Sequence, residues 1–256
     1  MMIGIAKKNV NGIPVLEVGK YELEKKALPT VFFIHGFTSA KEHNLHYAYL
    51  LAEKNFRAVL PDVNFHGERS KPISEKERNM QFWSIVVQTI EELNGLKDTY
   101  VTSGLTLSEK IGVAGLSMGG IVTLGALSRY SWIKTAVSLM GSPAYETLSH
   151  ELLGQFEKQG EKLPFTDEQV KTELKKIEKY DLSKRPDALQ ERPLLFWHGK
   201  NDPVIPYRHA WDFYHEVKDG YKDHPEKIQF LLDERAQHKV TREGVLKTVE
   251  WFEKYL

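Results

Sequence analysis

Ser117 lies in Gly115-Leu116-Ser117-Met118-Gly119, a G-x-S-x-G pentapeptide. A serine becomes a nucleophile toward carbonyl carbon when it is held out on a sharp turn beside a base. The flanking residues suit that use. Ile111 opens a short apolar run with the character of a buried strand, and Ile121–Leu127 reads as a helix. On so tight a strand-to-helix turn the serine backbone is strained, and side chains two residues before or after it would collide. Glycine stands at both places. With Gly near 7% of residues, three fixed positions match by accident in roughly one chain of this length in ten. The pentapeptide therefore calls for a partner base and an acid elsewhere in the chain.

Both are present, in order, after later strands. Arg192–Gly199 is an apolar run that leads into Lys200-Asn201-Asp202-Pro203-Val204-Ile205-Pro206, which places Asp202 in a proline-stiffened loop. Lys227–Leu232 is the last strand-like run. It leads into Asp233-Glu234-Arg235-Ala236-Gln237-His238, ahead of the final helix. Serine as nucleophile, His238 as its base and Asp202 as the group orienting that base form a complete acyl-transfer set. The rivals are weaker. His224 precedes the last strand, where it cannot easily reach the site. Asp233 and Glu234 abut the histidine loop and read as solvated.

The elements that must position these residues alternate between strand and helix. Residues 2–20 form two short strands around Asn11-Gly12, a hairpin turn signal, at one sheet edge. Thr30–Ile34 reads as a central strand covered on both faces. A helix follows from Lys41, with Leu45, Ala48, Tyr49 and Ala52 on one face. Phe56–Asp62 is a further strand. A long amphipathic helix spans about 77–96 and closes at Asn94-Gly95. Lys134–Met140 is a strand. The charged stretch at about 144–190, interrupted at Gly160 and Pro164, reads as two or three short inserted helices. A helix is expected near Tyr207–Val217. The last runs from Thr241, with Val245, Val249, Phe252 and Leu256 on one face. This order predicts an α/β protein, mostly parallel, with helices on both faces and its working groups at the carboxyl ends of the strands. We expect one domain over 1–256 with a helical cap at about 144–190.

Bulk composition narrows the partners. Lys+Arg and Asp+Glu both number 35, so there is no electrostatic footprint for nucleic acid. There is no cysteine, which removes disulfides, thiolate metal sites and a cysteine nucleophile. No apolar run approaches the ~20 residues that span a bilayer, and the N-terminus lacks a signal-peptide core. A soluble, cytoplasmic protein is expected, monomeric or homodimeric, without nucleic-acid or membrane partners. His43 and His46 have helical metal-pair spacing but lack a third ligand, so no metal is expected.

Taken together, these residues resemble the α/β-hydrolase superfamily over nearly the whole chain. Gly115–Gly119 is similar to its nucleophile elbow, and His35-Gly36-Phe37 to its oxyanion loop. Gly199–Pro206 is similar to its acid loop, and Phe65-His66-Gly67-Glu68-Arg69-Ser70 to its H-G-x-S segment. The nearest likeness is to small bacterial serine esterases beside the prolyl oligopeptidase-like and dienelactone hydrolase-like branches. Two departures stand out. Arg235-Ala236-Gln237 precedes His238 where relatives often carry glycine, and dienelactone hydrolases proper use cysteine. The resemblance implies an α/β-hydrolase fold with a sheet of about eight strands. It implies Ser117, Asp202 and His238 as triad, and the backbone N–H groups of Phe37 and Met118 as oxyanion hole. His35, Phe65 and Trp83 would lie toward the substrate, with Phe37 and Phe82 as further candidate lining; the alternatives are that His35 only shapes the oxyanion loop and that the aromatics are ordinary core. His198 would brace the acid loop. The implied activity is cofactor-free hydrolysis of a small-molecule carboxylic ester, with short acyl groups. A peptidase or acyl-aminoacyl hydrolase and a thioesterase are the alternatives. A non-catalytic binding protein of this fold would be expected to lack a triad member, and none is missing here.

Overall fold

Each strand of the sheet forms where an apolar run meets a turn signal. The computed structural model describes residues 2–158 and 166–256, and the expected interruptions at Gly160 and Pro164 lie outside them. The strands are β1 (Ile3–Val10), β2 (Ile13–Lys20), β3 (Leu28–Ile34), β4 (Arg57–Pro61), β5 (Thr106–Leu116), β6 (Thr135–Leu139), β7 (Leu194–Gly199) and β8 (Ile228–Asp233). The helices are α1 (Leu45–Glu53), α2 (Glu75–Met80), α3 (Phe82–Thr102), α4 (Met118–Arg129), α5 (Tyr145–Lys158), α6 (Asp167–Ile177), α7 (Tyr207–Val217) and α8 (Arg242–Tyr255). The described residues make an eight-stranded sheet in the order β1-β2-β4-β3-β5-β6-β7-β8. Only the β1–β2 and β2–β4 pairings are antiparallel. Asn11 and Gly12 both take positive φ (54° and 81°), the backbone of a two-residue hairpin turn that continues the strand twist.

The sheet divides two apolar layers. One packs α3, α4 and α7 against its first face, through residues such as Ile90, Ile121 and Phe213. The other packs α1 and α8 through Tyr47, Leu51, Val249 and Phe252. Because both faces are covered, β6 is buried along its whole length and β3 at every residue but Pro29, instead of alternating.

The structure departs from the sequence reading in four places, the first being that the helix expected over about 77–96 is broken at Gln81 into α2 and α3. Tyr49 is 50% exposed, and Tyr47 and Leu51 take the inward face of α1 beside Ala48 and Ala52. Asn94-Gly95 does not end α3. Leu93, Leu96 and Tyr100 remain buried, and the helix runs on to Thr102. Asn11 of the hairpin donates to the Gly95 carbonyl (3.2 Å) and the Thr99 hydroxyl (2.9 Å), so the glycine is a docking point for the hairpin. The chain turns instead at Gly104, with φ 70°. Last, β5 starts five residues before the apolar run, because Ser108–Lys110 are exposed and carry no apolar signal. Between β6 and β7 lie α5, α6 and single helical turns at Glu178–Tyr180, Leu182–Lys184 and Pro186–Leu189. Among the described residues no helix is long and apolar enough to cross a membrane.

Candidate active site

Ser117 is the single residue between β5 and α4, with φ 54° and ψ −115°. Its N–H donates to the Leu139 carbonyl of neighbouring β6 (2.7 Å), which pins the strained turn to the sheet. The two elbow glycines are required by backbone alone. A Cβ on Gly115 would overlap the Gly119 carbonyl, and one on Gly119 would overlap the Ile34 carbonyl at the end of β3.

The three residues expected to act together do meet. His238 Nε2 is 2.8 Å from Ser117 Oγ, and His238 Nδ1 is 2.7 Å from Asp202 Oδ2. A carboxylate only accepts, so Nδ1 carries the proton and Nε2 accepts from the serine hydroxyl. The Asp202 side chain is fully buried, while that of His238 keeps 23% exposure. Burial alone would raise the Asp202 pKa. The hydrogen bonds from His198 and His238, and from the Ile205 and Val204 N–H groups, outweigh it and hold the carboxyl well below the usual range. Asp202 Oδ1 accepts from Val204 N–H (2.8 Å) and Ile205 N–H (3.0 Å). His198 donates to the Ile205 carbonyl (2.9 Å) and lies 3.3 Å from Asp202 Oδ2, so it does brace this loop. Gly199 lets the two loops meet, since a Cβ there would strike the Gln237 and Ala236 carbonyls beside His238.

The rivals serve other ends. Asp233 accepts from the Arg235 and Ala236 N–H groups (both 3.0 Å), shaping the histidine loop. Glu234 pairs with Lys200, and His224 stands exposed beside Glu226. His43 bonds Ser39 Oγ (3.0 Å), and the His46 ring packs on Tyr47 (4.4 Å). Among the described residues no group of three or more His, Asp or Glu could hold a metal.

The 35–37 loop lies against the elbow, with Gly36 opposite the Leu116 carbonyl and Ser117 Cβ. Met118 is the first residue of α4, so its N–H has no acceptor within the helix. Among the described residues the Phe37 N–H has none either. His35 is wholly buried. Its Nδ1–H donates to the Gly36 carbonyl (2.7 Å), and its Nε2 accepts from Val63 N–H (3.2 Å). Both ring nitrogens thus serve the loop, so the expected substrate-side place of His35 is corrected to an internal strut. Burial pushes its pKa from 6.5 down to about 4. Beside the loop runs a line of partly buried rings: Phe37 against Phe82 (5.5 Å), Phe82 against Trp83 (5.2 Å), and Trp83 against buried Tyr145 of α5 (4.8 Å). Phe65 stands apart from this line, with φ 61° and Lys71 Nζ 4.9 Å over its ring.

Two groupings escaped the sequence reading. Buried Lys41 donates to Asp62 (2.5 Å) and Glu68 (2.6 Å), tying the chain beyond the 35–37 loop to the loop after β4. Ser142, His209 and Glu151 form a second Ser–His–carboxylate line, with separations of 3.1 and 3.0 Å. Ser142 is wholly buried, so this line fastens α5 to α7 and offers no nucleophile to a ligand. No spacing marks either group, because each is assembled from segments far apart in sequence.

Comparison with known proteins bears on the family and the fold. The model of the prolyl oligopeptidase family matches residues 45–256. The Bacillus subtilis (strain 168) protein named "Putative esterase YitV" is 52% identical over 255 residues, covering 100% of both chains. The Escherichia coli (strain K12) protein named "Esterase YjfP" is 27% identical over 258 residues, again covering 100% of both. Among solved structures, Thermus thermophilus TT1662 superposes with a TM-score of 0.77 at 19% identity, covering 100% of this chain and 98% of that one, a likeness of fold. A nucleophile-elbow serine on an eight-stranded, mostly parallel sheet and a family match over most of the length lead to one conclusion: the chain belongs to the prolyl oligopeptidase family, within the α/β-hydrolase superfamily.

Proposed function

We propose that this protein hydrolyses carboxylic esters of small acyl groups through an acyl-enzyme on Ser117. The observation that carries the reading is the unbroken line from Asp202 Oδ2 through His238 to Ser117 Oγ, at 2.7 and 2.8 Å. The serine oxygen attacks the ester carbonyl as His238 Nε2 takes its proton. The oxyanion formed accepts hydrogen bonds from the Phe37 and Met118 N–H groups, each such donor being worth roughly 3–4 kcal/mol in the transition state. The tetrahedral adduct collapses, and His238 returns the proton to the departing alcohol. Water then attacks the acyl-serine with the same histidine as base, releasing the acid and restoring Ser117. Asp202 holds the tautomer and stabilises the imidazolium. The full-length relatives named as esterases support ester over amide as substrate. The family match keeps the aminoacyl-amide reading as the comparison to make. The test is hydrolysis of p-nitrophenyl acetate and butyrate, an aminoacyl p-nitroanilide and an acyl thioester, by wild type and Ser117→Ala. Wild type should cleave the esters fastest, and the variant should fall to background. Equal ester rates in both proteins overturn the role of Ser117, and faster anilide cleavage overturns the ester reading.

A further inference from the structure

Cations near the 35–37 loop are mostly neutralised. Lys41 bonds Asp62 and Glu68, and Arg69 meets Glu92 through two hydrogen bonds of 2.7 Å. Arg78, in the last turn of α2, is different. Its Cζ lies 5.9 Å from the centroid of the Phe37 ring. Among the described residues it has no acidic partner, and its Nε is buried without an acceptor. A guanidinium held over a ring face is fixed in place while its N–H edges remain able to take a carboxylate or phosphate. On the same ring, 5.1 Å from its centre, lies the imidazole of His66, only 2% exposed. Nδ1 of His66 donates to the Asn64 carbonyl (2.8 Å), and Nε2 is buried with no partner. Burial, and after it the charge of Arg78, lowers the His66 pKa against the raising effect of the Asn64 bond.

Two orphaned nitrogens on one ring need an explanation, because buried polar groups are nearly always paired. The ring belongs to Phe37, whose N–H is assigned above to the reacting oxygen. Two buried arginines compare with it: Arg57 also leaves Nε without a hydrogen bond but has the Glu17 carboxylate 3.5 Å away, and Arg192 is fully engaged. Three guanidinium nitrogens of Arg192 donate to carbonyls of the chain, among them Leu127, Tyr130 and Leu189. We infer that Arg78 is a specificity residue whose guanidinium forms an anion subsite reading a carboxylate or phosphate carried on the ester substrate, while neutral His66, whose Nε2 can only accept, packs against the Phe37 ring. This inference rests on the esterase reading for its biological sense, but its test does not depend on turnover. The anion is on either the acyl half or the alcohol half of the ester, and paired probes separate the two.

Ser117→Ala protein, full length and unable to form the acyl-enzyme, is titrated calorimetrically with two pairs. Monoethyl adipate against ethyl hexanoate places the charge on the acyl half. 4-Acetoxybenzoate against 4-methylphenyl acetate places it on the alcohol half. In one pair the charged ester should bind at least tenfold tighter than its neutral partner. Adding Arg78→Gln should remove that preference, and Arg78→Lys should keep part of it. Circular dichroism and the melting temperature establish that the variants are folded. The inference is overturned if charged and neutral esters bind within twofold of each other in both pairs, or if the preference survives in Arg78→Gln. Whether wild type cleaves the neutral esters tests the esterase reading separately, so the two failures are distinguishable.

Discussion

Asp202 uses both carboxylate oxygens, one on its own loop and one on His238, and that division explains its proposed role. Oδ1 takes two backbone N–H groups and fixes the loop. Oδ2 is left to hold the imidazole. Asp202→Asn should present an amide N–H to Nδ1 and favour the wrong histidine tautomer. We expect kcat to fall by roughly 10³–10⁴ with little change in KM, read from steady-state ester hydrolysis. His35 makes a prediction about stability. Burial lowers its pKa in the folded chain to about 4, whereas the unfolded chain titrates near 6.5. The unfolded state therefore binds more protons between those limits. The stabilisation is fully present above pH 6.5 and is lost as the pH falls toward 4, to an extent of roughly 3 kcal/mol. Protonated Nε2 could no longer accept from Val63 N–H. Urea unfolding at pH 7 and pH 5 should show this drop in wild type and a flatter dependence in His35→Gln. Equal slopes would assign the titration elsewhere.

At the scale of elements, the site is a meeting of loops at the carboxyl ends of β3, β5, β7 and β8, and close backbone approach is what brings them together. Gly199 ends β7 directly beneath the Ala236–Gln237 carbonyls. Gly199→Ala should push the histidine loop outward and lengthen the His238–Ser117 contact. A fall in kcat of about tenfold or more is expected, with far-UV circular dichroism unchanged, since misplacement near 1 Å is enough. Buried Ser142, half-buried His209 and exposed Glu151 act on a different element. They tie α5, at the start of the stretch between β6 and β7, to α7, which follows the acid loop. Glu151→Gln should speed amide hydrogen exchange in α5 more than in α4 or α8. Uniform exchange across the three helices would show that the line does not fasten α5.

At the scale of the molecule, two apolar layers clamp one sheet, and some of the polar ties between distant loops are buried. Lys41 is the clearest. Its side chain is 1% exposed and its ammonium joins Asp62 and Glu68. Lys41→Met leaves the fully buried Asp62 side chain without its cation, which should cost about 3–5 kcal/mol in denaturant unfolding. A change within 0.5 kcal/mol would mean that the N–H donors of Lys41 and Glu68 suffice for Asp62.

The sequence by itself determined what is local. Periodicity and β-branched runs marked most strands, Asn11-Gly12 the hairpin, and Thr241 the start of α8, whose side chain accepts from Gly244 N–H (3.4 Å). The elbow and the chain order Ser117, Asp202, His238 were legible because each sits just after an apolar run, where a parallel sheet gathers its loops. Tertiary structure decided the rest. Tyr49 faces solvent because helix phase within α1 is settled by packing, not by composition. Gly95 stays helical because the hairpin docks on it from 84 residues away. Lys41 with Asp62, the Ser142–His209–Glu151 line and the pairing of Arg78 with His66 on the Phe37 ring join segments with no fixed spacing. Hydrogen bonds, ion pairs and cation–π contacts of this kind act over a few ångströms of space, and only the folded chain sets which residues come that close.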